Sequence, residues 1–158
     1  MGKQAKQFVD FLEKAGQTYW QMLPICPTSY GDSPYQSPSG FAGNPYFIDL
    51  DILCTKKLLK KSECKSYQWN EKDDTVDYAL LYKNRYDLLR KAKVRFFENV
   101  PQEYGQFCEK EADWLDDFAL FMALKEAHNG AQWSEWERPL KFREAEAIAK
   151  AKDTYADE

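Results

Sequence analysis

Between residues 20 and 46 the chain reads Trp-Gln-Met-Leu-Pro-Ile-Cys-Pro-Thr-Ser-Tyr-Gly-Asp-Ser-Pro-Tyr-Gln-Ser-Pro-Ser-Gly-Phe-Ala-Gly-Asn-Pro-Tyr. Prolines at 24, 27, 34, 38 and 45 stiffen this stretch, and glycines at 31, 40 and 43 permit turns. Tyr30, Asp32, Ser33, Tyr35, Gln36 and Asn44 supply rings, donors and acceptors within that stiff frame. A pyranose has an apolar face that stacks on an aromatic ring, and its rim of hydroxyls needs both donors and acceptors. The loop therefore carries the side chains of a sugar site. Asp32 is its single carboxylate, suited to capping a turn or accepting a sugar hydroxyl and insufficient for a reaction that needs two acids.

The elements that must position this loop follow from periodicity. Ala5, Phe8, Val9, Phe11, Leu12 and Ala15 recur at three and four, so the spacing predicts an amphipathic helix from Gly2 to Ala15, stopped by Gly16. Thr18 to Ile25 reads as a short buried strand ended by Pro24 and Pro27. A functional loop directly after a strand is the arrangement at the C-terminal face of a β/α barrel. Beyond it, Tyr46 to Leu53 is short and apolar, and Lys56 to Asp74 is charged and weakly periodic, which suggests a helical insertion. Asp77 to Phe97 has helical spacing through Tyr78, Leu81, Tyr82, Tyr86, Leu89 and Val94. Pro101 to His128 is expected as one long helix, closed by Asn129-Gly130, and Arg143 to Glu158 as another.

At the quoted residues the sequence closely resembles the 4-alpha-glucanotransferases, the amylomaltase or disproportionating-enzyme family. The resemblance continues through Val76-Asp-Tyr-Ala-Leu-Leu-Tyr82, Trp114-Leu-Asp-Asp-Phe-Ala-Leu-Phe-Met-Ala-Leu-Lys125 and Gln132-Trp-Ser-Glu-Trp136, so effectively the whole chain is covered. It implies an α/β fold: the start of a (β/α)8 TIM barrel over residues 1–53, and a mainly α-helical inserted subdomain over 54–158, truncated at its C-terminus. A barrel takes about 250 residues, so further strands are expected upstream of Met1 and downstream of Glu158, and the apolar faces meant for them should be exposed.

The resemblance also implies transfer of an α-1,4-glucan segment to a new sugar hydroxyl by a retaining double displacement. That chemistry needs two carboxyls about 5 Å apart, and in the family these and a third acid belong to later strands. No catalytic residue is therefore assigned here, and the isolated chain is expected to be inactive. By resemblance Tyr35 lines the donor site, Ser33, Gln36 and Asn44 shape it, and Asp32 supports it. Tyr30 and Tyr82 match two tyrosines of a second glucan platform, although spacing alone also allows Tyr82 to pack on Tyr78 or Tyr86. Cys26 stands where the family usually has glycine and Pro38 where it usually has an aromatic, so the loop's conformation is less determined than its residue types. A non-catalytic, α-glucan-binding helical domain is the alternative.

Composition narrows the remaining classes. The net charge of −4 has both signs interspersed and offers no basic face, so nucleic acid is not an expected partner. No apolar run approaches a membrane span and Met1 to Lys6 is too polar for a signal peptide, which points to no membrane and a cytoplasmic setting. Cys26, Cys54, Cys64 and Cys108 form no CxxC pair and are read as free thiols; no metal or cofactor is expected. His128, the single histidine, lies at a helix end and is read as structural. Trp133 and Trp136 suit either packing or stacking on a glucan. The expected partners are malto-oligosaccharides and α-1,4-glucans.

Overall fold

The computed structural model describes residues 1–29, 31–70 and 74–157. Among them the chain is built of helices and turns, in two compact units, Met1–Pro101 and Gln102–Glu158.

In the first unit, α1 (Lys3–Lys14) ends where expected: Gly16 takes φ +73°, and Gln17 N–H closes back on Leu12 O at 2.9 Å. Its apolar stripe is largely uncovered, with Phe8, Val9 and Phe11 exposed and Phe8 meeting Trp20 edge to face at 5.0 Å. Residues 18–25, expected as a buried strand, contain neither strand nor helix, and Tyr19, Leu23 and Ile25 are exposed. The run is apolar, as its composition implies, but it is neither paired nor buried. A strand exists only through a ladder to a neighbour, and no other described residue supplies one.

Asp49 caps α2 (Leu50–Thr55) by accepting from Ile52 N–H at 2.8 Å. α3 (Lys61–Lys65) follows after a tight connection. Of these two short helices, α3 lies within Lys56 to Asp74, the stretch expected to be helical, whereas α2 precedes it. They pack on α4 (Tyr78–Glu98), which Asp77 caps through Leu80 N–H at 2.9 Å. One face of α4 is spaced at four: Asn84, Leu88 and Ala92 are buried, and Leu88 and Ala92 join Leu59 in a core flanked by Leu50, Leu53, Leu58 and Trp69. Asn84 is satisfied there, its amide donating to Gln68 O at 2.6 Å. Arg95 fastens the same helix to α3 through a two-pronged pair with Glu63, at 2.8 and 2.6 Å, while also donating to Leu58 O. This hydrogen-bonding to Arg95, with Lys60 N–H and charge attraction added, holds the Glu63 carboxyl down to about 2.

In the second unit the expected long helix is two: α5 (Gln102–Lys110) and α6 (Leu115–Ala127), separated by a turn at 111–114. Trp114 leaves helical geometry at φ −136°, and its indole donates to the Glu111 carboxylate at 2.8 Å. Asp116 and Asp117 then occupy the first turn of α6, where the helix dipole favours acids. Asn129-Gly130 closes α6 as expected, with both residues at positive φ and Gly130 N–H on Lys125 O at 2.7 Å. α7 (Arg138–Lys141) and α8 (Ala145–Thr154) complete the unit, α8 starting after Arg143 at φ +56°. Its core joins Leu120, Leu124, Trp136 and Ala151.

His128 holds this unit's turn together: Nδ1 lies 2.7 Å from Leu124 O, Nε2 lies 2.9 Å from the Glu137 carboxylate, and the ring stacks on Trp136. The Glu137 hydrogen bond, then the Leu124 carbonyl, raise the His128 pKa above 6.5. The folded state thus binds the proton more tightly, so its contribution is full below about 6.5 and is lost as pH rises through the raised value. The Tm of the chain is expected to fall across that window, and His128→Gln to flatten this part of the profile in a thermal melt series.

Candidate functional site: the loop at residues 25–46 and the tyrosines of α4

The loop is closed at its base by Asn44 N–H donating to Ile25 O at 3.1 Å. Within it, Ser29 N–H reaches Gln36 O at 3.1 Å, and Asp32 N–H reaches Ser29 O at 3.1 Å through a turn that needs positive φ at Gly31 (+89°) and Asp32 (+55°). Residues 33–36 form a second turn, with Gln36 N–H on Ser33 O at 3.2 Å. Ser at the first position and Pro34 at the second are what such a turn favours. This places Tyr35 at the turn's outer corner, where it is 74% exposed. Serines then replace regular structure as backbone partners: Ser37 Oγ donates to Ser39 O at 2.7 Å, and Ser39 Oγ accepts from Phe41 and Ala42 N–H, both at 3.1 Å. Cys26 and Pro38, the two departures from the family pattern, sit inside this frame, and the Cys26 thiol donates to Gly40 O at 3.7 Å.

Asn44 is buried, and its side-chain oxygen accepts from Tyr46 N–H at 2.9 Å, starting a 3-10 turn at Pro45–Phe47. Asp32 and Ser33 are half-buried, while Gln36 is exposed beside Tyr35. Tyr30 lies outside the described residues.

Tyr82 belongs to a second group. Tyr78, Tyr82 and Tyr86 share one face of α4 at a spacing of four, and Tyr46 joins them from the loop's end. Ring centroids lie 4.9 Å apart for Tyr82 and Tyr86, 6.2 Å for Tyr46 and Tyr86, and 6.5 Å for Tyr46 and Tyr78. Tyr82 both packs on Tyr86 and remains 60% exposed. Burial foremost, then the nearby Tyr86 and Asp32, then Tyr82 and Tyr78, push the Tyr46 hydroxyl up to about 12. Below pH 10 the Tyr46 phenol is neutral in folded and unfolded chain alike; above it only the unfolded phenol ionises, so stability falls between pH 10 and about 12. A spectrophotometric phenolate titration should show a tyrosine titrating near pH 12 that is lost in Tyr46→Phe, while Tyr104, also raised by burial, still titrates late.

Arg85 is the anchor that sequence reading missed. Its Nη2 donates to Tyr46 O at 2.5 Å and also to Ile48 O, tying the loop's exit to α4. Its reach spans 37 and 39 residues, which no local pattern discloses. Burial lowers the pKa of its guanidinium below the ordinary value. Trp136, a candidate stacking residue, is buried in the second unit's core, whereas Trp133 is exposed. Among the described residues there is no cluster of metal-ligating side chains, and no helix is long and apolar enough to cross a membrane.

Loop and tyrosine face carry two of the segments by which the chain resembles one family, and comparison with known proteins decides the point: the family model described as 4-alpha-glucanotransferase matches residues 1–158. The chain belongs to the 4-alpha-glucanotransferase family. It is 49% identical to the 4-alpha-glucanotransferase of Clostridium butyricum over 152 residues, covering 96% of this chain and 31% of that protein. It is 46% identical to that of Thermus thermophilus, covering 100% of this chain and 31% of the relative. Among solved structures, an amylomaltase from Streptococcus agalactiae in complex with acarbose superposes with a TM-score of 0.93 at 36% identity, over 99% of this chain and 32% of that one. This member of the family thus spans about a third of the length of the relatives it matches.

Proposed function

We propose that this chain is the glucan-holding part of a 4-alpha-glucanotransferase, which cuts an α-1,4-glucan and passes the severed segment to the 4-hydroxyl of an acceptor sugar with retention. The match over all 158 residues carries this reading. The amylomaltase complex with acarbose and the exposed Tyr35 on its stiff turn support it. In this reading Tyr35 offers a stacking face to a glucose ring, Ser33, Gln36 and Asn44 shape the pocket, and Asp32 accepts a hydroxyl. Tyr30 and Tyr82 form a second platform for a longer chain. The two carboxyls of the double displacement, about 5 Å apart, lie outside these residues.

The same reading makes residues 1–53 the start of a (β/α)8 barrel and 54–158 a helical subdomain, with α2 carrying the changeover. The uncovered apolar residues of α1 and of 19–25 support it, since they are faces a barrel would cover. The setting is cytoplasmic, in keeping with four free cysteines. The second reading, a helical domain that binds α-glucan without chemistry, is favoured by one observation: the described residues hold no strand.

A disproportionation assay with maltotriose tests the first reading. The chain alone should release no glucose, while a chimera in which it replaces the matching residues of the Clostridium butyricum relative should yield glucose and longer oligosaccharides. Turnover by the chain alone would refute the missing carboxylates, and a folded but inactive chimera would favour the binding domain.

A further inference from the structure

Cys54 in α2 and Cys64 in α3 bring their sulfurs to 3.8 Å, although ten residues separate them in sequence. Both are free, and both are half-buried against the core around Leu59 and Leu88. Cys64 also lines an open cleft of about 450 Å³ beside Arg85, Tyr67, Trp69, Asp49 and Leu50, so small solutes reach it. We infer that Cys54 and Cys64 form a reversible intramolecular disulfide, making the junction of α2 and α3 a modification site for small disulfide oxidants.

The step is a double exchange. One cysteine thiolate attacks the oxidant's S–S bond, forming a mixed disulfide and releasing one reagent thiolate. The second cysteine, as thiolate, displaces the remaining reagent half. The two protein sulfurs lose two electrons to the reagent, which leaves as two thiols carrying the protein's two protons. Closing the pair from 3.8 Å to the bonded distance of about 2.05 Å asks for a small approach of two short helices already in contact. Burial, then the neighbouring Cys54, push the Cys64 thiol up to about 11, so Cys64 is a poor nucleophile toward reagents at large. Its reaction is with the sulfur held beside it, where proximity replaces collision. The pair adjoins the guanidinium that fastens Tyr46 and Ile48, so the bond would form beside the loop's anchor. In a reducing compartment such a bond is transient rather than structural.

The test is a peptide map of the folded 158-residue chain after oxidised glutathione, thiol blocking and trypsin, without reductant. Lys56, Lys57, Lys60 and Lys61 lie between the two cysteines, so peptides bearing Cys54 and Cys64 remain joined only through sulfur. The expected result is a joined peptide holding most of Cys64, abolished by dithiothreitol, with a Tm roughly 5–15 °C above the reduced chain. Cys54→Ser should leave the Cys64 peptide unjoined and largely without glutathione; the wild-type map stands on its own should that variant misfold. Recovery of the Cys54 and Cys64 peptides separately from folded wild type, or pairing with Cys26 or Cys108 to an equal extent, would overturn the inference.

Discussion

Leu88→Ala is expected to destabilise the first unit by about 3–4 kcal/mol. Leu88 is fully enclosed, at 0% exposure, midway along the buried face of α4, with Leu59 and Ala92 as its core partners. Truncation removes its transfer energy and leaves a cavity that three elements, α2, α3 and α4, would have to collapse to fill. A core with so few fully buried residues has little in reserve, because a domain's whole stability is about 5–15 kcal/mol. Urea unfolding should show a lower midpoint with an unchanged slope, and Leu88→Met, close in volume, should cost less than about 1.5 kcal/mol. A loss below about 1 kcal/mol for Leu88→Ala would mean that α4 is held by Arg95 and Glu63 rather than by its apolar face.

Tyr35→Ala is expected to weaken binding of short malto-oligosaccharides roughly 5- to 30-fold, from about 1–2 kcal/mol of lost stacking. Tyr35 stands at the corner of a turn set by Ser33 and Pro34, so its backbone is fixed while its ring is free to meet a sugar. Tyr82→Ala should have a smaller effect on short ligands and a larger one on long chains, since Tyr82 belongs to the separate tyrosine face. Isothermal titration with maltotriose and maltoheptaose checks both variants. The opposite ranking with maltotriose would reverse the assignment of near and remote sites.

What was legible in the sequence was local. Gly16 and Gly130 stop their helices because they take positive φ, and Asp77 starts α4 by capping a free N–H; each signal acts within a turn of its own position. Helical spacing likewise disclosed the tyrosine row 78, 82, 86. The misreadings share another cause. Residues 18–25 have a strand's composition, but a strand is a property of two segments. The break between α5 and α6 turns on one Trp114 dihedral and an indole bond to Glu111, inside an otherwise continuous apolar period. In the site, the turns at Gly31 and Pro34 followed from residue type. The Arg85 anchor and the meeting of Cys54 with Cys64 arise only from packing of α2, α3 and the loop's exit with α4.

The most direct test of the central claim is a titration of the isotope-labelled chain with maltoheptaose, followed residue by residue in amide NMR spectra. Saturable shifts are expected at residues 31–44 and around Tyr82, attenuated in the loop by Tyr35→Ala. Shifts confined to the neighbourhood of Trp133, or none in the loop at saturating sugar, would contradict it.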